Sequence, residues 1–152
     1  MEALAVLAAA QPRRHRIPGP RDRLLREGRT CYDHFAGRFG VAIADALVAA
    51  GAIIENGWHF DITTEGERRL ALLEVDVPAL RHGSRALCRY CIDWSERRPH
   101  LAGAVGAQLA SNAFRLGWVQ RLGDSRVVSV TSCGRTIFRD AIGLEWQLPL
   151  AA

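Results

Sequence analysis

The sequence predicts an α+β fold that is mainly helical, in which two tandem winged-helix-like repeats pack as one unit. Three observations lead to this prediction. The chain has 152 residues, of which 49% are hydrophobic, so it can bury a substantial core. The order helix, helix, hairpin, helix can be read over residues 24–77. Residues 84–144 repeat that pattern, which indicates an internal duplication.

The elements of the first repeat follow from spacing and turn residues. Apolar residues at three- to four-residue steps predict helical structure from Leu24 to residue 51. Asn56-Gly57 between two apolar runs predicts a hairpin turn. Thr64 and Glu67 have the spacing of a capping box, so we expect a helix to begin there.

The central part of the second repeat aligns with the first at a constant offset of 66 residues, and Thr63 to Gly66 match Thr131 to Gly134 at an offset of 68. Residues 100–118 (HLAGAVGAQLASNAFRLGW) match residues 34–52 (HFAGRFGVAIADALVAAGA). We expect two equivalent helices to cross at their glycines about a pseudo-twofold axis. The alternative is that Gly40 and Gly106 mark breaks between a helix and a turn. The residues in register are His34 with His100, Gly37 with Gly103, Gly40 with Gly106, and Gly51 with Gly117.

The two ends of the chain are predicted to lie outside the repeats. Residues 2–10 (EALAVLAAA) are strong helix formers, and residues 11–23 hold three prolines and five arginines. We therefore expect a helical stub and an Arg/Pro-rich linker over residues 1–23. Residues 145–152 form a C-terminal tail, in which Trp146 and Leu148 are expected to cover the core.

Cys31, His34, Cys91 and His100 are candidate metal ligands. If the two helices cross at their glycines, both histidines approach one seam, with Cys31 one helical turn before His34 and Cys91 ahead of His100. Two thiolates and two imidazoles are a ligand set for a transition metal or a heme-type centre. The alternatives are a redox thiol pair of Cys88 and Cys91, or cysteines and histidines buried for structural reasons.

Asp93, Trp94 and Arg97 form a second candidate site, a ligand pocket. Trp94 would provide an apolar wall and Arg97 would bind an anion. The structural alternative is that Ser95 caps the turn that follows, with Pro99 in the first turn of a helix.

The charge of the chain bears on nucleic-acid binding. All 20 basic residues are arginine and the net charge is +4, which reflects either a GC-rich genome or phosphate contacts. Residues 41–50 offer only the anionic Asp45 and cannot read a DNA groove. We expect weak, sequence-independent DNA contact at most from this chain. The second repeat offers four polar side chains, which are Gln108, Ser111, Asn112 and Arg115. Either they contact DNA or they form a solvated face of the helix.

Two classes of protein are disfavoured by what the sequence lacks. It has neither a Gly-x-x-x-x-Gly-Lys-Ser/Thr nor a Gly-x-Gly-x-x-Gly motif, and no oxyanion glycine motif follows Cys31 and His34, so we do not expect an enzyme. The longest apolar run, residues 3–10, is shorter than the roughly 20 residues of a transmembrane helix. We expect a cytoplasmic protein.

Residues 29–48 (RTCYDHFAGRFGVAIADALV) and residues 91–106 (CIDWSERRPHLAGAVG) resemble stretches of one group of bacterial ArsR-type winged-helix transcription regulators. In that group, RTCYDHLAG and CxDWSERRxHLAG stretches follow the DNA-binding domain. The resemblance covers about residues 24–143, and it implies an N-terminal helix-turn-helix domain that this chain lacks, with a homodimer as the full-length protein.

On this resemblance, the chain is the C-terminal effector-sensing or dimerisation part of a regulator. The resemblance names no effector. Two alternatives remain open from the residues themselves, namely a metal-responsive sensor that uses the four Cys and His ligands, and a ligand-free oligomerisation module.

Overall fold

The structure, a computed structural model, describes residues 19–147. This range contains helices and antiparallel sheets, so the predicted α+β class is confirmed. The elements are α1 Pro20–Glu27, β1 Arg29–Cys31, β2 His34–Ala36, α2 Gly37–Ala49, β3 Ile53–Asn56, β4 His59–Ile62, α3 Thr64–Ala71, α4 Val77–Arg81, β5 Arg89–Ile92, β6 Pro99–Ala102, α5 Gly103–Arg115, β7 Val119–Arg121, β8 Val128–Val130 and α6 Ser132–Ile142.

Both halves of the chain have the same order of elements: a hairpin, a 13-residue helix, a second hairpin and a helix. The predicted order was helix, helix, hairpin, helix, and it is wrong at its start because residues 29–36 and 89–102 form hairpins. The two-residue turn explains the error in the first half. It places Cys31 directly opposite His34, and an i to i+3 spacing is also that of a helical turn.

The first hairpin of each half pairs with the second hairpin of the other half. In the four-stranded sheet β3-β4-β5-β6, the amide of Tyr90 donates to the carbonyl of Trp58 at 3.0 Å. On the opposite side, the amide of Thr30 donates to the carbonyl of Arg126 at 3.0 Å, and β1 bridges to Val127. The two halves therefore share one four-stranded sheet, and an isolated bridge joins the hairpins β1-β2 and β7-β8.

The glycines of α2 and α5 face the histidines of the opposite half. A Cβ placed on Gly40 would lie 3.5 Å from the Cβ of His100, and one on Gly106 would lie 3.2 Å from the Cβ of His34. Helix α2 packs on β6, and α5 packs on β2. The prediction that the helices meet at these glycines is corrected accordingly, because each glycine lies closest to a backbone carbonyl of its own half, that of Phe35 or Leu101, and next to the histidine of the other half.

The ends of the described range differ in part from expectation. Helix α1 begins at Pro20, inside the predicted linker, because a proline is well accommodated in the first turn of a helix. The ring of Trp146 packs on Phe39 with centroids 5.2 Å apart, as predicted for the tail. The predicted stub, most of the linker and Leu148 lie outside the described residues. Within residues 19–147, no helix is long and apolar enough to cross a membrane.

The helices that follow the second hairpins begin with equivalent threonine caps. The cap of α3 is Thr63, one residue before the predicted capping box, and its Oγ1 accepts from the amide of Gly66 at 3.0 Å. The same hydroxyl donates to the carbonyl of Gly51. In the second half, Thr131 Oγ1 accepts from Gly134 at 3.0 Å. Each threonine therefore ties a hairpin to the helix that follows it.

We expect T63A and T131A each to lower the free energy of unfolding by about 1 kcal/mol, because each removes an N-cap hydrogen bond. Urea unfolding followed by circular dichroism measures the change. T136A is the matched control, since the exposed Thr136 hydroxyl only donates to a carbonyl within α6, and it should change the value by less than about 0.5 kcal/mol. A T131A variant as stable as T136A would contradict the capping role.

Candidate functional site

The four candidate metal ligands come together between the two halves. Cys31 lies opposite His34 in the hairpin β1-β2, and Cys91 lies opposite His100 in the hairpin β5-β6. One sulfur or ring nitrogen from each residue lies within 4.8 Å of those of the other three. The structure brings the four predicted residues together, but on another element than predicted, because each pair faces across a hairpin instead of along a helix. We call these four side chains the Cys/His cluster.

The two histidines are in direct contact. Their Nε2 atoms are 3.1 Å apart, and the rings are tilted by 47° with centroids 5.0 Å apart. His34 is 6% exposed and His100 is 1% exposed, whereas both cysteines are half-buried. The cluster is thus shielded from solvent on the imidazole side and more open on the thiol side.

A carboxylate lies behind each imidazole. Asp33 Oδ1 is 3.2 Å from Nδ1 of His34, and Asp93 Oδ1 is 3.5 Å from Nδ1 of His100. Arg85 holds Asp33 through an ion pair of 2.7 Å. The hydrogen bond from Arg85 lowers the pKa of Asp33, so this carboxylate is charged at neutral pH. Each histidine therefore lies between a carboxylate and the other histidine.

The burial of the cluster favours the uncharged forms of its side chains. Burial lowers the pKa of His34, and burial together with the neighbouring His34 lowers the pKa of His100 to about 4. Burial, with a further contribution from Cys31, raises the pKa of Cys91 to about 11. Neutral imidazoles are the form that binds a metal, and a bound cation favours deprotonation of a nearby thiol.

Asp93 joins the cluster to the backbone of both halves. Its carboxylate accepts from Arg29 Nη2 at 2.7 Å, from the Gly37 amide at 2.8 Å, and from the amides of Ser95 and Glu96 at 2.9 Å. Burial alone would raise its pKa, but the Ser95 hydroxyl, the two amides of Glu96 and Gly37, and the charge of Arg29 lower it to about 2. Asp93 is therefore an anion with no exposed surface.

Arg29 is the buried cation that matches Asp93. It is 1% exposed, and its Nη1 donates to the carbonyl of Leu25 at 2.9 Å. The ring of Trp94 covers the guanidinium at 4.3 Å. Because a buried charge requires a partner, this ion pair links the first hairpin of one half to the first hairpin of the other half.

The three residues of the predicted ligand pocket have separate surroundings. Asp93 is fully buried, Trp94 is 59% exposed over Arg29, and Arg97 lies exposed in the turn with a φ of 55°. The structural alternative also needs correction. Asp93, and not Ser95, caps this turn, and Pro99 begins strand β6 where a helix was predicted.

The roles of three residues in the site were not predicted from the sequence: Arg29, Asp33 and Arg85. The shared spacing of Cys31-x-Asp33 and Cys91-x-Asp93 was the available sign that both aspartates have related places. Arg29 and Arg85 have no such local sign, because their partners lie 64 and 52 residues away along the chain.

The polar side chains considered for DNA contact make internal contacts. Asp45 pairs with Arg98 at 2.6 Å. Asn112 is 2% exposed, and its amide donates to the carbonyl of Glu74 at 2.7 Å. Arg115 pairs with the Glu74 carboxylate at 2.8 Å. Asn112 is thus used for packing within the chain, Asp45 and Arg115 form exposed ion pairs, and Ser111 is exposed on the helix surface.

Over 121 residues, which are 80% of this chain, the sequence is 35% identical to the uncharacterized HTH-type transcriptional regulator YdfF of Bacillus subtilis (strain 168). The chain spans 54% of the length of that relative, about half of it. No protein-family model matches the chain, and no solved structure matches it. Sequence similarity to this bacterial regulator thus extends over most of the chain.

Proposed function

We propose that this chain is the effector-sensing part of a bacterial HTH transcription regulator of the ArsR type. The match to a helix-turn-helix regulator over 80% of the chain supports the regulatory role. The resemblance of residues 29–48 and 91–106 to ArsR-type proteins supports the subtype. DNA would be bound by a separate helix-turn-helix domain, because the polar groups of the described helices mostly make contacts within the chain. The full-length regulator would be a homodimer in the cytoplasm.

The buried polar centre between the halves carries the sensing role. Each half contributes one cysteine, one histidine and one carboxylate to it. Buried polar groups are unfavourable unless they are fully paired, and apolar residues would pack the same space more stably. Nδ1 of the buried His100 has no hydrogen-bond partner in the structure. A ligand that engages this centre would change how tightly the halves are held together.

Chromatin immunoprecipitation tests the regulatory role. The gene that encodes this chain is tagged at its 3′ end in the native host, and bound DNA is sequenced. We expect enrichment at a small number of discrete sites near promoters. Enrichment no greater than in an untagged strain would contradict the proposal.

The sensing role is separated from a ligand-free oligomerisation role by variants of the two histidines. If the centre senses an effector, H34Q and H100Q change transcription of the genes beside the bound sites while the self-association of the protein stays as in the wild type. If the chain only oligomerises, the same variants leave transcription unchanged. Sizing at several protein concentrations provides the self-association readout.

A further inference from the structure

We infer that the Cys/His cluster binds one tetrahedral transition-metal ion of the zinc class, held by Cys31 and His34 of one half and by Cys91 and His100 of the other half. This inference rests on the proposed function, since it gives the chemical class of the effector. Two thiolates and two imidazoles form the ligand set that Zn²⁺ prefers in closed four-coordinate sites. Binding replaces the two thiol protons, which leave to the solvent.

The contact between the histidines brings two metal-binding nitrogen atoms to one point. A carboxylate faces Nδ1 of each ring, at 3.2 Å for His34 and at 3.5 Å for His100. When Nδ1 carries the proton that faces the carboxylate, Nε2 presents its lone pair. Two lone pairs then face the same point across 3.1 Å, where one metal ion can bind both Nε2 atoms. Without a metal ion, the same contact is a hydrogen bond from one Nε2 to the other.

The same carboxylates serve as the outer shell of a metal site. A histidine that binds metal through one ring nitrogen usually donates from the other to a carboxylate, which fixes the ring and strengthens the ligand. Here Asp33 is within hydrogen-bond distance of Nδ1 of His34, and Asp93 lies behind Nδ1 of His100 at 3.5 Å without a hydrogen bond to it. Arg85 and Arg29 in turn hold the aspartates at 2.7 Å. Each half thus has a carboxylate behind its histidine and an arginine behind the carboxylate, although the pair of Asp93 and Arg29 is buried and the pair of Asp33 and Arg85 is partly exposed.

The spacing of the ligand atoms suits a small ion. Tetrahedral bonds of about 2.0–2.3 Å place neighbouring ligand atoms about 3.3–3.8 Å apart. The two Nε2 atoms are 3.1 Å apart, and all four ligand atoms lie within 4.8 Å of one another. A modest inward rotation of the half-buried thiols closes the set. The rings in contact leave no room for a heme between them.

Metal binding would fasten the two halves at one point. Strand pairs β1-β2 and β5-β6 each contribute two ligands, and each of these hairpins is also hydrogen-bonded to the second hairpin of the other half. Occupancy of the cluster therefore acts on hairpins that connect both halves. In the full-length regulator, this is the change that the DNA-binding part would respond to.

Metal titration tests the inference directly. The chain, purified without a polyhistidine tag, stripped with a chelator and reduced, is titrated with Zn²⁺ in competition with a chromophoric chelator, and separately with Co²⁺. We expect one Zn²⁺ per chain and a Co²⁺ spectrum of a tetrahedral site with thiolate-to-metal charge transfer. A hundredfold excess of free Zn²⁺ over its Kd should raise the melting temperature by about 5–10 °C.

Variants assign the ligands. We expect C31S, C91S, H34Q and H100Q each to lower Zn²⁺ affinity at least about 100-fold, and D33N to lower it about 10- to 100-fold through the outer shell. C133S is the matched control, because Cys133 is an exposed thiol outside the cluster, and it should bind Zn²⁺ as the wild type does. Circular dichroism checks that each variant is folded.

Several results would overturn the inference. One is a wild-type chain that binds less than about a tenth of an equivalent of Zn²⁺. Another is a six-coordinate Co²⁺ spectrum without charge transfer from thiolates. A third is that the cluster variants bind Zn²⁺ as tightly as C133S does. The wild-type titration decides the question even if a variant fails to fold. If the chain binds no metal but chromatin immunoprecipitation finds discrete sites, the metal site is rejected and the proposed function stands. Metal binding without chromatin sites supports the metal site and rejects the proposed function.

Discussion

Replacement of Arg29 with methionine is expected to lower the free energy of unfolding by about 3–5 kcal/mol. Arg29 and Asp93 are 1% and 0% exposed and form an ion pair of 2.7 Å. Methionine fills much of the same volume but leaves the Asp93 carboxylate charged, buried and without its cation. The loss arises chiefly from this uncompensated charge, since an intact buried ion pair is itself worth little.

Urea unfolding of R29M measures this effect, and R98M is the matched control. Arg98 pairs with Asp45 at a similar distance, 2.6 Å, but the two side chains are 56% and 46% exposed. An exposed ion pair contributes about 0–1 kcal/mol, so R98M should be nearly neutral. A double variant R29M/D93N should lose less than the sum of the two single losses, because the two sites are coupled. Equal losses in R29M and R98M would show that Asp93 does not depend on Arg29.

Replacement of Gly37 or Gly103 with leucine is expected to lower the free energy of unfolding by about 3 kcal/mol or more. Both glycines begin a central helix with a φ above 70°. A Cβ on Gly37 would lie 2.6 Å from the carbonyl oxygen of Arg26, and one on Gly103 would lie 2.6 Å from that of Ala86. Leucine at either place therefore adds a backbone clash to an unfavourable left-handed conformation.

Thermal and urea unfolding of four leucine variants separate these two contributions. Gly57 and Gly123 in the hairpin turns also have a positive φ, 61° in each, but a Cβ there would meet no atom within 4 Å. G57L and G123L should therefore lose only the conformational contribution, about 1–2 kcal/mol. Equal losses in all four variants would mean that Gly37 and Gly103 are not closely packed against the backbone of residues 26 and 86.

The hairpin β3-β4 and the residues of the Cys/His cluster could be predicted from the sequence. Asn56-Gly57 marks the hairpin because few other dipeptides suit a tight turn, and residues 59–62 pair with residues 53–56. The turn itself lies one residue later than predicted, at Gly57 and Trp58, because Asn56 pairs with His59. The register of 66 residues aligned His34 with His100, and the shared Cys-x-Asp pattern, at an offset of 60 residues, aligned Cys31 with Cys91. Neither alignment needs knowledge of the element that carries the residues, and so they brought the four residues together even though the predicted helix is a hairpin.

Two features could not be predicted in this way. They are the ion pair of Arg29 with Asp93, and the hydrogen bonding of the first hairpin of each half to the second hairpin of the other half. Arg29 and Asp93 are 64 residues apart, and nothing local in the sequence distinguishes Arg29 from the other 19 arginines. The pairing of β4 with β5 depends on which hairpins the packing of both halves brings together. A spacing of three residues fits a helix and a two-residue hairpin equally well, and only these long-range contacts decide between them.

Oxidative cross-linking most directly tests the central claim, that residues of both halves form one centre. The native chain is treated briefly with diamide, which oxidises two adjacent thiols to a disulfide and is itself reduced to the hydrazine. The product is then digested with trypsin and analysed by mass spectrometry. We predict a link between residues 30–38, which contain Cys31, and residues 90–97, which contain Cys91. Zn²⁺ added beforehand should suppress it. Thiols that stay unlinked, or a link from either of these cysteines to Cys88 or Cys133, would contradict the shared centre.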